Sequence, residues 1–389
     1  MAKRKPTRAK APPSVTEEVA AIEEAETVLA EDTTWEPPAP FDREKMLSSG
    51  VKSLNLVISL DHRYAFPQGK YVRYYGASGT AKTDLMLRAL AEAARNPVYD
   101  GHDLIYIDKE IGALFDPRRY GKKLFDRLEW VRDSATSEGP PHLEGMYLYL
   151  LRRMKEKPIV AVVDSLDAFM TAAQLKNMKA RQTATSETKL AAIKDPYGGG
   201  KAAVNSDYQK ALLGPMESTG SIVFFISQER DDPNAMFESA KPSGGRSTTF
   251  YASVELHMYR GAAIKKSMPG ASDEDSGVPV GANMRIVVDK NRVRGCPRRS
   301  AKYLFYDASG VDNVGTAVDW LIENKVFSTA GAYVTAPGIA SKGMYKEKLI
   351  QGIQSRPELR ERLFDIMQEE FVKQDEILRN LVYRVPEYD

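Results

Sequence analysis

From about Met46 onward, short apolar runs alternate with stretches of helical periodicity. The runs "KYVRYYG", "HDLIYIDKE", "PIVAVVDS" and "SIVFFISQ" are predicted strands, because β-branched and aromatic residues fill them almost continuously. The predicted helices include "TDLMLRALAEAARN" and "PPHLEGMYLYLLRRMKE". This alternation predicts an α/β fold with a mostly parallel central sheet and helices on both faces, since parallel strands are buried on both sides. Three later runs, "ASVELHMYR", "NMRIVVDKN" and "KYLFYD", are predicted to add strands that close the sheet.

The pattern divides the chain into three predicted regions. Residues 1–45 form a flexible charged extension, because five of the first ten residues are Lys or Arg and an acidic run and "WEPPAP" follow. The acidic run is either a solvated tail or an amphipathic helix for subunit or partner contact. Residues 46–310 form the α/β core. Residues 311–389, helical with short strand-like pieces, form a small α+β C-terminal domain.

Two long polar segments interrupt the core. The first runs from Thr171 to Gly220 and the second from Glu229 to Thr249. Long irregular segments inside a compact domain are usually functional or mobile. Each directly follows a predicted strand, so both are expected to leave the carboxyl edge of the sheet.

Composition narrows the setting of the protein. The 389 residues are 42% hydrophobic and 28% charged, and no apolar run reaches the ~20 residues of a membrane span. The basic N-terminus lacks the apolar region of a secretory signal, and the single cysteine, Cys296, suits a reducing compartment. These features predict a cytoplasmic protein. With a net charge of +2, nucleic-acid binding would require local basic clusters.

The stretch "GASGTAKT" nearly matches the phosphate-binding pattern G-x-x-x-x-G-K-[ST], between a predicted strand and a predicted helix. Lys82 would bridge the outer phosphates and the Thr83 hydroxyl would hold Mg²⁺. Ala81 replaces the second glycine, which costs little if its φ is negative and causes strain if φ is positive. The alternative is a turn that binds nothing. The candidate nucleotide-binding residues here are Gly76, Ala77, Ser78, Gly79, Thr80, Ala81, Lys82 and Thr83.

Polar residues end three neighbouring predicted strands. Asp164 ends "IVAVVD" and would complete the Mg²⁺ shell opposite Thr83. Glu110 follows "IYIDK" and would orient or deprotonate the attacking water, unless it is a capping or salt-bridged acid. Gln228 would sense the γ-phosphate through a hydrogen bond, unless it is an ordinary strand-terminal polar residue.

In sequence order, "GASGTAKT", "YIDKE", "AVVDS", "FFISQER", "GGRSTTFYASVELHMYR" and "VVDKNRVRG" resemble the RecA recombinase family. The resemblance extends from about Ser48 to at least Ile353, and the irregular first motif and the long extension favour phage-type members such as UvsX. It implies a RecA-like P-loop ATPase core that binds ATP and Mg²⁺ between neighbouring subunits. It also implies a helical homo-oligomeric filament on single-stranded DNA, which pairs with homologous duplex DNA without sequence specificity and exchanges strands. A single-strand-binding protein or loader is a possible partner in the bacterial or phage-infected cytoplasm.

The resemblance also assigns individual positions. Glu110 matches the catalytic glutamate, and Gln228 matches the glutamine that links the γ-phosphate to a DNA-binding loop. Tyr120 corresponds to a tyrosine that stacks on adenine, although one extra residue precedes it, and its alternative is ordinary packing. Lys290 and Arg292 match two cations that reach the neighbouring subunit's ATP. The alternative for the adjoining "RVRGCPRR" is a solvated or DNA-facing patch.

The two polar segments match the family's two DNA-binding loops, at about residues 171–203 and 229–249. Cations on a glycine-rich backbone can follow the phosphates of a single strand. The candidate DNA-binding residues are Lys176, Lys194, Lys201, Arg230, Lys241 and Arg246. Phe250 is expected to pack against the adjoining subunit, or else to be an ordinary core residue.

Two other functions remain open from the sequence. One is a hexameric helicase built on the same core, which the "FYAS" segment and the C-terminal region disfavour. The other is a non-hydrolysing ATP-gated binding or regulatory protein, which Ala81 favours.

Overall fold

A sheet of parallel strands extended by antiparallel ones organises the fold of this computed structural model, which describes residues 41–113, 115–134, 137–183, 199–230, 241–242, 246–267, 277–294 and 299–382. The strands of this sheet are β1 (Tyr71–Gly76), β2 (Asp103–Asp108), β3 (Leu128–Ser134), β4 (Ser137–Glu138), β5 (Ile159–Asp164), β6 (Ile222–Arg230), β7 (Lys241–Pro242), β8 (Val254–Lys266), β9 (Val278–Asn291), β10 (Arg299–Tyr306) and β11 (Gly310–Asp312).

The strand order is β11-β10-β9-β8-β1-β6-β5-β2-β3-β4, with β7 paired to β6. Strands β8, β1, β6, β5, β2 and β3 run parallel, and β9, β10 and β11 continue the sheet in antiparallel fashion. The predicted α/β class is confirmed.

Helices cover both faces of the sheet. Alternate side chains of β1 enter two different cores: Val72 and Tyr74 join the cluster beneath the helix after the glycine-rich loop, and Tyr71 joins the cluster on the opposite face. The period of two along a strand produces this division. None of the described helices is long and apolar enough to cross a membrane. The helices are α1 (Lys52–Ser59), α2 (Lys82–Arg95), α3 (Pro117–Tyr120), α4 (Lys122–Arg127), α5 (Leu143–Glu156), α6 (Ala172–Thr183), α7 (Gly199–Thr219), α8 (Arg246–Tyr251), α9 (Asn313–Glu323), α10 (Lys346–Gln354) and α11 (Pro357–Val382).

Strand register gathers the candidate residues at one edge. Gly76 at the end of β1 pairs with Gln228 of β6, and Asp108 at the end of β2 pairs with Asp164 of β5. Parallel strands share their carboxyl edge, and ligands of such sheets bind outside that edge. The arrangement therefore brings the ends of four strands together beside the glycine-rich loop.

The prediction of irregular structure from Thr171 to Gly220 is wrong for most of that segment. Residues Ala172–Thr183 and Gly199–Thr219 are helical. The second helix buries Leu212 and Met216 in the core on the α5 face, and partly buried Tyr208 and Val204 lie one and two turns before Leu212. This apolar row at a spacing of four residues is diluted by glycine, lysine and serine, so composition alone concealed it.

The region after residue 310 has a core of its own. Buried Val314, Val318, Leu349, Leu363 and Phe364 belong to one hydrophobic cluster, which also includes Leu56 of α1. A three-stranded sheet lies in this region, formed by β12 (Ser328–Ala330), β13 (Tyr333–Thr335) and β14 (Met344–Tyr345). The boundary predicted near residue 310 stays a prediction, as does the extension, of which residues 1–40 lie outside the described part.

An ionic cluster joins the last helix to the sheet. Asp375 of α11, 2% exposed, forms ion pairs with Arg294, just beyond β9, and with Arg299 at the start of β10. Arg294 is itself buried, with 9% of its side chain exposed. A solvated or DNA-facing role for Arg294 within "RVRGCPRR" is therefore wrong, and residues 295–298 of that stretch lie outside the described part.

Candidate active site

The glycine-rich loop spans the gap between β1 and α2. A Cβ atom added at Gly76 would lie 2.5 Å from the carbonyl oxygen of Met258 in β8, so only glycine fits there. A Cβ at Gly79, where φ is +76°, would meet nothing within 4 Å, which leaves that side of the loop open. The amides at the start of α2 point along a helix dipole that favours negative charge. The loop has the geometry of an anion site.

Ala81 adopts the left-handed conformation, with φ of 61° and ψ of 29°, directly before α2. From the sequence alone, the conformational energy of alanine at this position depended on the sign of φ. The positive φ means that the residue is strained. The clash of its Cβ with the backbone costs about 1–2 kcal/mol.

The substitution Ala81→Gly is expected to raise the free energy of unfolding by about 1 kcal/mol, because relief of the clash exceeds the entropy that glycine adds to the unfolded chain. Denaturant titration measures the change. Ala77→Gly is the matched control, since Ala77 lies in the same loop without a positive φ. Equal effects of the two substitutions would contradict strain at Ala81.

Lys82 is held within the loop by its own backbone. Its ammonium donates to the carbonyl oxygens of Gly76 at 2.8 Å and Ala77 at 2.7 Å, and lies 3.4 Å from the Thr80 hydroxyl. Burial lowers the pKa of Lys82, and the negative charges of Asp164 and Glu110 oppose this effect. The cation therefore lies over the open loop among acids that belong to the adjoining strand ends.

Thr83 and Asp164 form the oxygen pair expected of a Mg²⁺ site. The Thr83 hydroxyl donates to Asp164 Oδ2 at 2.7 Å, and the Tyr106 hydroxyl donates to the same oxygen at 2.5 Å. Asp164 is 4% exposed, and burial raises the pKa of its carboxyl group. Among the described residues no group of three or more His, Cys, Asp and Glu side chains converges as a metal cage. A hydroxyl and one carboxylate suit Mg²⁺, which usually takes its other ligands from water and substrate phosphates.

Glu110 contacts two neutral donors at the strand ends. The Ser165 hydroxyl and the Gln228 side-chain amide both donate to Glu110 Oε1, the amide at 3.1 Å. Its backbone N–H donates to the carbonyl oxygen of Asp164 at 3.3 Å. Glu110 and Gln228 are both exposed, so water can reach the carboxylate. Neutral partners and exposure disfavour the alternative of a salt-bridged acid, and the catalytic role of Glu110 stays a prediction.

Asp108, two residues before Glu110, has a different environment. It is 1% exposed, lies 3.1 Å from the guanidinium of Arg132, and accepts from the N–H of Gly112 at 3.3 Å. Arg132 belongs to β3, a strand that was not predicted from the sequence. Asp108 therefore anchors the loop after β2, whereas Glu110 is the solvent-exposed acid of this strand end.

Tyr120 lies at the end of α3 and is 4% exposed. Its hydroxyl donates to Asp84 of α2 at 2.5 Å, and its ring stacks on Phe115 with centroids 5.9 Å apart. Burial raises the pKa of this hydroxyl far above its usual value. These contacts favour the packing alternative, and stacking on adenine stays a prediction.

Lys290 and Arg292 lie apart from the glycine-rich loop of their own subunit. Lys290 pairs with Glu255 across β8 and β9, whereas Gly76 lies beside Met258, three residues further along β8. Three strand residues span about 10 Å. Lys290 donates to the carbonyl oxygens of Thr249 at 2.7 Å and Phe250 at 2.6 Å, and Arg292 donates to that of Phe250 at 3.3 Å. Both cations therefore converge on α8 and not on their own Lys82.

The candidate DNA-binding residues divide by what the structure describes. Lys176 is exposed on α6, while Lys201 on α7 donates to the carbonyl oxygen of Asp167 at 2.8 Å. Phe250 at the start of "FYAS" is 63% exposed, which contradicts ordinary core burial. Lys194 and the side chains of Arg230, Lys241 and Arg246 lie outside the described part.

Three residues at this edge escaped the sequence analysis. Arg260 of β8 donates to the carbonyl oxygen of Gly79 at 3.3 Å, and Asp167 accepts from the backbone N–H of Gln228 at 2.7 Å. Ser165 holds Glu110 as described above. Ser165 directly follows the strand-ending Asp164 and Asp167 lies three residues after it, positions that could have indicated both. Nothing in the sequence around Arg260 indicates its contact with the loop.

Comparison with known proteins agrees with this geometry. The family model described as the RecA N-terminal domain matches residues 41–312. Protein RecA of Amycolatopsis mediterranei (strain U-32) is 26% identical over 315 residues, which cover 81% of this chain and 80% of that protein. The family match spans well over half of the 389 residues and includes the strand ends described above. The chain therefore belongs to the RecA family of recombination proteins and is an ATPase of the RecA type.

Proposed function

We propose that this protein is a DNA-dependent ATPase that assembles as a helical filament on single-stranded DNA and exchanges strands with a homologous duplex. The observation that supports this most directly is the hydrogen bond between Gln228 and Glu110. It joins the candidate hydrolytic acid to the strand that leads into the second polar segment. A change in that segment can thus reach the acid through a single side chain.

The proposed site divides its work among residues of two subunits. In one subunit the loop amides and Lys82 would bind the phosphates of ATP, and Thr83 and Asp164 would hold Mg²⁺, which would neutralise phosphate charge. Glu110 accepts a proton from the attacking water, and Gln228 senses the γ-phosphate. Lys290 and Arg292 of the neighbouring subunit supply positive charge as the phosphoryl group transfers. Their distance from their own Lys82 supports action in trans.

The proposed DNA contacts rest on cations of the two segments. Lys176, exposed on α6, together with Lys194, Lys201, Arg230, Lys241 and Arg246, would follow DNA phosphates. Such contacts hold the strand without reading its sequence. Exposed Phe250 would pack against the adjoining subunit. A single-strand-binding protein or loader is a possible further partner. Because the proposed substrate is DNA, the proposed location is the cytoplasm of a bacterial or phage-infected cell.

ATP turnover measured with and without single-stranded DNA, beside electron microscopy of the same samples, tests the proposal. We expect turnover to rise with DNA and helical filaments to form on it. Closed rings in place of filaments would support the helicase alternative. Absence of turnover in both conditions would support an ATP-gated binding protein, which strained Ala81 favours.

The pH dependence of turnover is expected to report Lys290. Burial, together with neighbouring Arg292, lowers the pKa of Lys290 to about 8, so the side chain is charged below this pH and loses its charge as pH rises through it. If the cation acts in trans, DNA-stimulated turnover falls on the alkaline side, displaced upward where the neighbour's phosphates stabilise the charge. Lys290→Arg stays charged, so its profile, normalised to its own maximum, is expected to extend to higher pH. Superimposable profiles of the two proteins from pH 6 to 10 would contradict the role of Lys290.

A further inference from the structure

Arg73 is a charged residue in the middle of a buried strand. It has no exposed surface, and it lies on β1 between β6 and β8, three residues before the glycine-rich loop. Buried ion pairs are often no more stabilising than apolar side chains of similar size, so burial alone does not account for an arginine here. None of the steps proposed above uses it.

Arg73 contacts side chains of β6, α8 and β8. Its guanidinium donates to Glu255 Oε1 of β8 at 3.0 Å and to the Thr249 hydroxyl of α8 at 3.0 Å. It also donates to the Ser227 hydroxyl of β6 at 3.4 Å. The Thr249 hydroxyl donates in turn to Glu255 at 3.0 Å. The planar, rigid fork of the guanidinium therefore fixes these three groups relative to one another.

Each partner lies next to a residue of the proposed mechanism. Ser227 directly precedes Gln228, which contacts Glu110. The carbonyl oxygens of Thr249 and Phe250 accept from Lys290, and the Lys290 ammonium lies 5.9 Å from the centre of the exposed Phe250 ring. The buried pair thus lies between β6, which carries the proposed γ-phosphate sensor Gln228, and α8, whose carbonyl oxygens hold the proposed trans cation Lys290.

We propose that Arg73 and Glu255 are positioning residues that couple Gln228 to Lys290 and so link nucleotide contact in one subunit to the cation presented to the next. A shift of Gln228 moves Ser227, and the guanidinium passes the displacement to Thr249 and to the carbonyl oxygens that hold Lys290. The inference rests on the proposed function and adds a route between nucleotide contact at Gln228 and the cation that Lys290 presents to the next subunit. None of the proposed DNA-binding side chains belongs to this route.

Three variants separate coupling from folding. Arg73→Met removes the guanidinium that pairs with the buried Glu255 carboxylate, and Glu255→Leu removes that carboxylate from the buried Arg73 guanidinium, so each single variant is expected to melt at a lower temperature than wild type. The double variant removes both charges, and its melting temperature is expected to return towards that of wild type. The matched control is the double replacement Arg153→Met with Asp103→Leu, which removes a largely buried ion pair between α5 and the start of β2, at the opposite end of the strands from Gln228.

The expected signature is loss of coupling in a folded protein. The ratio of ATP turnover with single-stranded DNA to turnover without it is expected to fall by about tenfold in the Arg73–Glu255 double variant, a usual size for coupling between two sites. The alkaline limb of its pH profile is expected to move to lower pH, because Glu255 helps to keep Lys290 protonated. The control double variant is expected to keep the wild-type ratio and profile. A folded Arg73–Glu255 double variant with wild-type ratio and profile would overturn the inference.

Two further measurements keep the outcomes distinct. If the double variant fails to fold, Arg73→Lys replaces it: the charge remains, but one ammonium cannot reproduce the planar fork, and an unchanged ratio overturns the inference. If wild type shows no DNA-stimulated turnover, the proposed function fails by itself. NMR titration of methylated Lys290 in the free subunit then tests the link, and an unchanged Lys290 titration in the double variant overturns it.

Discussion

The Glu110→Gln variant is expected to bind ATP and single-stranded DNA like wild type and to hydrolyse ATP at least ~100-fold more slowly, within the usual range for loss of a general base. The glutamine side chain has nearly the same shape. Its carbonyl oxygen can still accept from Ser165 and from the Gln228 amide, which lies 3.1 Å from Glu110 Oε1. It cannot accept the proton of water. The substitution therefore removes the chemical step and leaves the contacts in place.

Single-turnover hydrolysis measured beside equilibrium nucleotide and DNA binding separates these effects for Glu110. Glu323→Gln makes the same chemical change at an acid whose side chain is 61% exposed, outside the strand ends, and is expected to behave like wild type. Filaments of Glu110→Gln are expected to persist on DNA in ATP, because their release would require hydrolysis. Turnover near the wild-type rate would place the general base elsewhere.

The Lys82→Ala variant is expected to lose both ATP binding and every step that depends on it. The Lys82 ammonium is the cation of the loop, held at 2.8 Å from the carbonyl oxygen of Gly76. Alanine removes that charge where the phosphates would lie, and turnover is expected to fall on the order of 100- to 1,000-fold, as when a preorganised donor is removed from an active site.

Nucleotide binding followed by fluorescence or calorimetry, with DNA binding measured in the presence of ATP, tests the Lys82 prediction. Lys373→Ala is the matched control, since the Lys373 side chain is 70% exposed on α11. Because the hydrogen bonds of Lys82 to the described residues all lie within its own loop, the melting temperature of Lys82→Ala without nucleotide is expected to stay close to that of wild type. Wild-type ATP affinity in this variant would show that the loop amides alone bind the nucleotide.

Local patterns predicted the centre of the sheet well, because the information there is local. Largely apolar runs indicate β1, β2, β5 and β6, and the polar residues at the ends of the runs for β2, β5 and β6 mark the edge where ligands bind. Glu110, Asp164 and Gln228 were found in this way, and the register of the strands brings them to the same edge.

Contacts between distant parts of the chain were beyond the reach of sequence patterns. The burial of Tyr120 depends on Asp84, 36 residues earlier, and the contact of Arg260 with the loop joins residues 181 apart. The φ of Ala81 depends on the turn that tertiary packing imposes, so the motif alone could not predict whether the alanine is strained. α7 escaped prediction because its apolar row is recognised only against the core that it covers.

In the ionic cluster at Asp375, a carboxylate of α11 supplies the counter-ion for two arginines of the sheet. Arg294 and Arg299 come from either side of the β9–β10 connection, and both rely on a carboxylate that arrives some 80 residues later, near the end of the last helix. A shortened chain that stops before Asp375 would leave Arg294 buried without that charge. α11 is therefore not a detachable appendage, and the hairpin beside the proposed trans cations reaches its final charge balance only after residue 375 has been synthesised.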